Sequence, residues 1–524
     1  QSPNWVTIKL MKQRRIKWLA IGLFLPVVVI LATVQSTIGI PSISADGMHW
    51  STFDYAGWRA HSITVSFNNR VQVEWVENIQ PLSTESTNVN PANAHTPNFF
   101  ASRIESVEID NLVVHHDDNT YDTRLSGTIY PAIALTSDWL SVGRTDEAWL
   151  VSGTVDSTSD EFTDSPLQDW LPNQSAVKFM FSASVTDLDA PIEGTLQQLE
   201  LTHPLLGTTM QIPAMNVSIS REELGWTGTA TTSAAESELE WRTIPTPEHP
   251  TQADWAINYT IALQDLTNWF NVVITDAVPI GYWTGTITPR EATITGAELG
   301  FEGQLYGVYL LENGHPITYL PIHSSTTRSM GPNLPNWTPY SKLGWLAKAV
   351  IAGEDAPFFT HAGFNEEGLT RALNELYKEV DNPIGGSSIT QQVAKNLFTG
   401  NRATLDRKVE EMVYTLGLEA ALSKEAILAL YLNSIEFGDK IYGITEACNQ
   451  YFLKKPEFLT IKEAVFLASI LPNPRDGYKR AKLGRPPTRR MRAILENLVD
   501  GKHITRKAMN DAIQEPLRLL LPVE

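Results

Sequence analysis

The sequence predicts a multidomain protein with an N-terminal transmembrane helix, an all-β, sheet-rich middle region and a mainly α-helical C-terminal domain. Two observations predict this order. The spacing of apolar residues changes along the chain, from an unbroken apolar run before residue 41, to alternation up to about 320, to a helical period after 341. The length of 524 residues also exceeds what one hydrophobic core supports. We therefore expect several domains.

The N-terminal end has the features of a membrane anchor. Residues 18–40 form an uncharged run of 23 residues behind a basic segment, 1–17. A run of this length can cross a bilayer as a helix, and the five basic residues before it are expected to stay in the cytoplasm. We expect an uncleaved anchor, with the rest of the chain outside the cytoplasm. A cleaved signal peptide, with Ser44 or Ala45 as cleavage position, is the alternative.

Residues 41–320 alternate apolar and polar side chains in short runs such as 61–67 and 178–185. This pattern predicts β-strands. Residues 41–340 hold 36 acidic and 10 basic side chains, a balance that repels phosphates and argues against nucleic acid as a partner. Ser175 and Lys178 match the Ser-x-x-Lys pattern of acyl enzymes, but no Lys-Thr-Gly accompanies them, so we expect no acyl chemistry here. Binding or spacing is the expected role of this region.

The C-terminal third is predicted to be a compact helical domain, 341–524, joined to the sheet region by a linker. Residues 321–340 are rich in Ser, Thr, Pro and Asn, as linkers are. Ser388 and Gln391 have the spacing of a capping box, as do Thr460 and Glu463, so a helix should begin at each. The single cysteine, Cys448, excludes an internal disulfide.

A glycine turn inside the helical domain has the chemistry of an anion site. Gly385, Gly386 and Ser387 precede the Ser388 cap, and a helix start of this kind can present unpaired amides to a ligand. Lys395 lies two helical turns further on the same face and adds positive charge. On spacing alone, such a turn is more often plain structure than a binding site.

Two carboxylates in this domain are candidates for catalysis. Glu411 is spaced from Arg407 and Lys408 so that all three share one helix face. A solvated ion pair is the simpler interpretation of that spacing. Glu354 ends an apolar helix, where a carboxylate can gain proton affinity, as a general base requires. His361 is expected to be a buried histidine that donates to the backbone, in preference to a metal ligand.

These residues belong to five motifs whose order resembles the peptidoglycan glycosyltransferase domain, glycosyltransferase family 51. Asn365 stands where that family usually has Asp, and Ala429 stands where Glu is common. No penicillin-binding transpeptidase domain follows the motifs, so the chain resembles the monofunctional branch. The matching runs are Glu354 to Gly363, Gly385 to Asn396, Arg407 to Glu411, Ile427 to Gly438, and Glu463 to Tyr478.

The resemblance implies a lysozyme-like fold and an inverting transfer that polymerises lipid II into β-1,4-linked glycan with release of undecaprenyl pyrophosphate. Glu354 matches the general base, and Glu411 matches a second essential carboxylate near the pyrophosphate and a divalent cation, Mg²⁺ or Mn²⁺. No organic cofactor is implied. Further residues match substrate-binding or pyrophosphate-binding positions of the family: Lys395, Arg407, Lys408, Ser387, Ser388, Gln391, Gln392, Asn396, Asp355 and His361.

The implied partners are lipid II, the growing glycan chain and the cytoplasmic membrane. Cell-wall synthases are further candidates, through the sheet-rich region. The implied location is the outer, periplasmic face of the bacterial inner membrane.

Two other functions remain open at this point. A scaffold with a degenerate transferase domain would bind lipid II or synthases, and the Asn365 and Ala429 replacements favour it. A lytic transglycosylase would share the catalytic Glu but cleave finished glycan, and it would need no basic pyrophosphate site.

Overall fold

The computed structural model describes residues 42–520 apart from gaps, of which the longest are 79–105, 157–175 and 378–385. The predicted segments 1–17 and 18–40 lie outside the described residues, as does Gly385. None of the described helices combines the length and apolar content that a bilayer crossing requires. The chain divides into two compact units, of which the second comprises 202–211, 236–239 and 255–524.

The first unit is built from antiparallel strands, and this confirms the sheet-rich middle region. The strands β1 to β17 are Ser42–Ile43, Gly47–Tyr55, Trp58–Ser66, Arg70–Asn78, Ser106–His116, Asn119–Tyr130, Ala134–Thr136, Leu140–Arg144, Ala148–Asp156, Ala176–Ser184, Ile192–Leu196, Leu199–Leu201, Met210–Ile212, Met215–Glu222, Gly225–Thr232, Glu238–Thr246 and His249–Ala262. Strands β13, β16 and β17 belong in part to the second unit. The strands of the first unit pair in chain order from β1 to β11, then β14 and β15, and all these pairs are antiparallel except β4 with β5.

Alternation along the strands explains the core of this unit. Leu140 and Val142 of β8 and Trp149 and Val151 of β9 are buried, while the residues between them are more exposed. Lys178 lies exposed on β10, and Ser175 lies outside the described residues.

The second unit combines short strands with helices. Its further strands, β18 to β23, are Ala277–Ile287, Thr295–Gly303, Ile317–Tyr319, Arg328–Met330, Glu436–Gly438 and Ile441–Tyr442. Its helices, α1 to α12, are Leu263–Trp269, Tyr306–Glu312, Trp345–Glu354, Glu366–Tyr377, Ile389–Ala394, Leu405–Ala421, Lys424–Ser434, Ile444–Phe452, Ile461–Ile470, Pro474–Lys482, Thr488–Asp500 and Arg506–Gln514. Helices α5 and α9 begin at the two predicted capping boxes.

Strands β18 and β19 pack against the helices. The Trp283 Nε1 atom of β18 donates to the Met412 sulfur of α6 at 3.3 Å, and the Trp283 ring meets the Phe364 ring edge-on, with centroids 4.9 Å apart. Residues 255–320 therefore belong to the same compact unit as the helical domain, although their alternating pattern resembles that of the strands before them.

The segment 321–340, predicted as a linker, is also packed into this unit. The Thr338 backbone exchanges two hydrogen bonds with the side chain of Asn433, at 2.9 and 2.8 Å, and the Thr338 side chain is buried. This polar segment is ordered against the unit because its polar groups pair with polar groups of α7. The pairing joins residues 95 apart, so composition alone does not reveal it.

Candidate active site

Three helices bring the candidate residues together. Helix α3 ends at Glu354, α5 begins after Ser388, and α6 carries Arg407, Lys408 and Glu411. Helix α5 packs against α6 and α7. Its first turns lie between the two carboxylates, because Gln392 contacts Glu354 and Gln391 contacts Glu411.

Glu354 is largely buried and forms an ion pair. Its Oε1 atom accepts from Arg490 Nη2 at 2.7 Å, and its Oε2 atom accepts from Gln392 Nε2 at 3.4 Å. Burial raises the pKa of Glu354, while Arg490 and Gln392 act to lower it. A carboxylate with a raised proton affinity suits proton abstraction from a hydroxyl.

Arg490 and Tyr431 complete this environment, although neither was among the predicted site residues. Arg490 also donates to the Gly353 carbonyl at 3.1 Å, so it holds the end of α3 as well as the carboxylate. Tyr431 donates to Gln392 Oε1 at 2.8 Å, which orients the Gln392 amide toward Glu354. Arg490 lies 136 residues after Glu354 in an arginine-rich stretch, so spacing offered no signal for it.

Asp355 braces the start of α5. Its side chain is buried, and its Oδ2 atom accepts from the Ile389 backbone amide at 2.9 Å and from His361 Nε2 at 2.9 Å. His361 Nδ1 accepts from the Gly363 amide at 3.1 Å, so Nε2 carries the proton that it donates to Asp355. The prediction that His361 donates to the backbone is wrong, because its ring accepts there and donates to a carboxylate.

Three amides at the start of α5 already have side-chain partners within the protein. The Asp355 carboxylate accepts a hydrogen bond from the Ile389 amide. The Ser388 hydroxyl accepts from the Gln391 amide at 3.1 Å, and the Gln391 side chain accepts from the Ser388 amide at 3.1 Å. The Ser388 hydroxyl in turn donates to Gly363 O at 2.5 Å. These three amides are therefore not free to bind a ligand, and the carboxylate of Asp355 takes the position that an anionic ligand would have at Ile389.

Glu411 is the centre of a buried charge cluster. Its side chain is 1% exposed and that of Arg407 is 7% exposed, and Arg407 Nη1 donates to Glu411 Oε2. Lys408 Nζ donates to Glu411 Oε1 at 2.5 Å, and Gln391 Nε2 lies 3.5 Å from the same oxygen. The interpretation of this spacing as a solvated ion pair is therefore wrong for Arg407 and Glu411, because both side chains are buried.

This cluster has a net positive charge, because three cationic side chains accompany its single carboxylate. Lys408 also donates to Ser387 Oγ at 3.2 Å, so it links the glycine turn to α6. Lys395 begins a π-helical turn, Lys395–Thr399, after α5, and no hydrogen bond or ion pair of its side chain is found among the described residues. Burial lowers the pKa of Lys395, against an opposing effect of Glu411, and Arg407 and Lys408 lower it further. A half-buried cation in this setting favours an anionic ligand.

The predicted residues thus separate into two groups. In the first group, Arg407 and Lys408 pair with Glu411, Ser387 bonds to Lys408, Lys395 interacts electrostatically with Glu411, and Gln392 contacts Glu354. The other predicted binding residues form bonds within the protein; they are Asp355, His361, Ser388, Gln391 and Asn396, whose Nδ2 atom donates to Gln392 O at 2.8 Å.

The donor set does not fit a divalent cation held by the protein at Glu411. Both Glu411 oxygens accept from cationic side chains, and a cation there would displace one of them. Within the described part of the chain, no group of three or more His, Cys, Asp or Glu residues could hold a metal ion.

The helical unit thus places a buried carboxylate on one side of α5 and a cationic cluster on the other, an arrangement that suits proton abstraction from a hydroxyl beside an anionic leaving group. Residues 327–499 match the family described as Transglycosylase.

Curated relatives match the same part of the chain. A protein named Biosynthetic peptidoglycan transglycosylase from Acinetobacter baylyi is 43% identical over 140 residues, which are 26% of this chain and 62% of that protein. A protein of the same name from Thiobacillus denitrificans is 43% identical over 140 residues, 26% of this chain and 60% of that protein. The chain therefore spans about 60% of the length of these relatives.

The crystal structure of Penicillin-Binding Protein 1A from Haemophilus influenzae matches over 40% of this chain and 21% of that one. Its sequence identity to this chain is 18% and its TM-score is 0.21.

Proposed function

We propose that this chain is a peptidoglycan glycosyltransferase that polymerises lipid II into β-1,4-linked glycan with inversion. One observation carries the proposal: Glu354, whose proton affinity is raised, and the lysine–arginine cluster around Glu411 flank the same helix, α5. The names of the curated relatives support the choice of substrate.

In this proposal Glu354 is the general base. Its carboxylate takes the proton of the acceptor sugar's 4-hydroxyl as that oxygen forms a bond to the donor's anomeric carbon. The bond between that carbon and the phosphate oxygen breaks, and undecaprenyl pyrophosphate leaves with the electron pair. Arg490 and Gln392 hold the carboxylate by its two oxygens, so that it is oriented before the substrate arrives.

The cationic cluster stabilises the charge that grows on the leaving pyrophosphate. Lys395 and Lys408 supply the positive charge that faces the pyrophosphate. The buried Arg407 holds Glu411 in place. Fixed cations act most strongly where charge develops in the transition state. Because Lys395 has no ion-pair partner within 4 Å among the described residues, it is the cation that gains most from the leaving group.

The finer parts of the proposal concern the surroundings of the reaction. The uncharged run 18–40 anchors the chain in the cytoplasmic membrane, which supplies both lipid-linked substrates, and the transferase domain lies on the outer face. The sheet-rich region is the part of the chain available for contacts with cell-wall synthases.

The test is to incubate the purified full chain with labelled lipid II or with intact sacculi. A polymerase lengthens glycan from lipid II and leaves sacculi uncut. Release of muropeptides from sacculi would favour a lytic transglycosylase. Tight binding of lipid II without polymer would favour the scaffold, and either result would overturn the proposal.

A further inference from the structure

Residues 292–296, a segment of the sheet region that ends in the first two residues of β19, form an edge whose backbone pairs on two sides. Thr293 faces β18: its amide donates to Thr286 O at 2.8 Å, and its carbonyl accepts from the Tyr259 hydroxyl at 2.7 Å. Thr295 lies opposite Thr284 of β18. In an extended segment the alternate residues, Ala292, Ile294 and Gly296, then point their backbone groups away from β18.

Side chains of α4 form hydrogen bonds with the backbone groups of these alternate residues. The Asn374 amide accepts from Ala292 N at 2.9 Å and donates to Ala292 O at 2.7 Å. The Thr370 hydroxyl pairs with Ile294 N and Ile294 O, both at 3.3 Å.

Glu366 Oε1 accepts from Gly296 N at 3.0 Å, so the helix and the strand run antiparallel. The dimensions of helices and strands explain why three side chains of α4 reach three alternate residues of the strand edge. Four residues of a helix rise about 6 Å, and two residues of a strand advance about 6.6 Å, so a helical stripe spaced by four fits a strand spaced by two.

The other side of α4 contacts the glycine turn of the candidate site. A β carbon added at Gly386 would lie 2.6 Å from Gly368 O and 3.1 Å from the Ala372 Cβ atom. The turn therefore rests directly on α4, and Gly386 is required for this approach. Ser387, the next residue, accepts from Lys408, which pairs with Glu411.

A second path joins the start of α4 to the start of α5. Asn365 Oδ1 accepts from the Gly368 amide at 2.9 Å, and Asn365 Nδ2 donates to Asp355 Oδ1 at 3.3 Å. The other oxygen of Asp355 accepts from Ile389 N. An Asp at position 365 would bring a second carboxylate to Asp355, so the Asn at this position suits the contact.

We propose that the strand edge 292–296 positions the glycine turn at the start of α5, acting through α4, so that Glu366, Thr370 and Asn374 are positioning residues of the transferase site. The assignment rests on the proposed function for its kinetic consequence alone. It gives a role to part of the sheet region that the transferase motifs do not include. The alternative is that α4 only covers an exposed strand edge, as many proteins do to prevent edge-to-edge pairing.

The test uses variants of the full chain that keep side-chain shape. Thr370→Val combined with Asn374→Leu removes both hydrogen-bonding side chains, whereas Thr370→Ser keeps the hydroxyl and serves as the conservative control. Arg371→Ala changes an exposed neighbour on the same helix and controls for changes in helix propensity.

The first readout is amide hydrogen exchange without substrate. We expect the peptide that covers 386–392 to exchange about tenfold faster in the double variant than in wild type, while peptides from the buried helix α9 stay unchanged. Both control variants should match wild type. An unchanged 386–392 peptide, or a uniform acceleration across the second unit with a lower Tm, would overturn the proposal.

The second readout is lipid II polymerisation. We expect kcat to fall about tenfold in the double variant with a smaller change in KM, because the turn is displaced rather than removed, and Thr370→Ser should retain wild-type kcat. A wild-type kcat in the double variant would overturn the proposal. If the wild-type chain does not polymerise lipid II, the proposed function fails, yet the selective exchange result would still establish the coupling from strand edge to turn.

Discussion

The buried pair of Arg407 and Glu411 predicts a large and specific loss of stability. Glu411→Gln removes the carboxylate and leaves the Arg407 guanidinium, 7% exposed, without a counter-charge. Breaking one partner of a buried pair costs about 3–5 kcal/mol. For a domain of this size, 1 kcal/mol corresponds to about 2–4 °C in Tm, so the calorimetric transition that includes the second unit should fall by about 6–20 °C.

A double variant separates the charge effect from the loss of function. Arg407→Met combined with Glu411→Leu replaces the pair by apolar side chains, which is often neutral or stabilising for buried pairs. We expect its transition to return close to that of wild type, while polymerisation stays absent in both variants. A Glu411→Gln transition within about 1 °C of wild type would refute the reasoning, because it would show a solvated pair worth only about 0.3–0.5 kcal/mol.

Three further predictions concern the carboxylates and cations of the site. Burial raises the pKa of Glu354 above 4.5, and a base must be ionised, so the polymerisation rate should fall toward acid pH with a midpoint above that value; Arg490→Gln removes a cation that lowers this pKa and should move the midpoint further up in a pH–rate profile. Lys395→Met should weaken inhibition by inorganic pyrophosphate at least about tenfold, and inhibition of wild type should weaken as pH rises through the lowered Lys395 pKa; equal inhibition constants for the two proteins would contradict this role. Asp355→Asn replaces the carboxylate that accepts from Ile389 and His361 and should cost about 1–3 kcal/mol in urea unfolding, whereas an unchanged midpoint would count against its bracing role.

Local signals in the sequence predicted the parts of the fold that depend on neighbouring residues. The capping boxes at Ser388 and Thr460 were confirmed because their hydrogen bonds join residues three apart. The i and i+4 spacing also predicted the contact between Arg407 and Glu411. Its burial was not predictable, since it depends on what packs around α6 from other parts of the chain.

Long-range pairings account for what the sequence did not reveal. Arg490 reaches Glu354 across 136 residues, and Thr338 reaches Asn433 across 95, so neither spacing nor composition pointed to them. Residues 255–320 share the alternation of the strands before them, yet Trp283 packs them onto α6. The Ile389 amide at the start of α5 was expected to be free, because its partner, Asp355, lies 34 residues earlier and sequence spacing does not reveal the contact.

The most direct measurement is the rate of lipid II polymerisation by Glu354→Gln beside wild type, with Tm measured for both. Gln keeps the shape and can still bond to Arg490, but it cannot take a proton. We predict a rate lower by about 10² to 10⁴ with little change in Tm. A wild-type rate in this variant would contradict the assignment of Glu354 as the base.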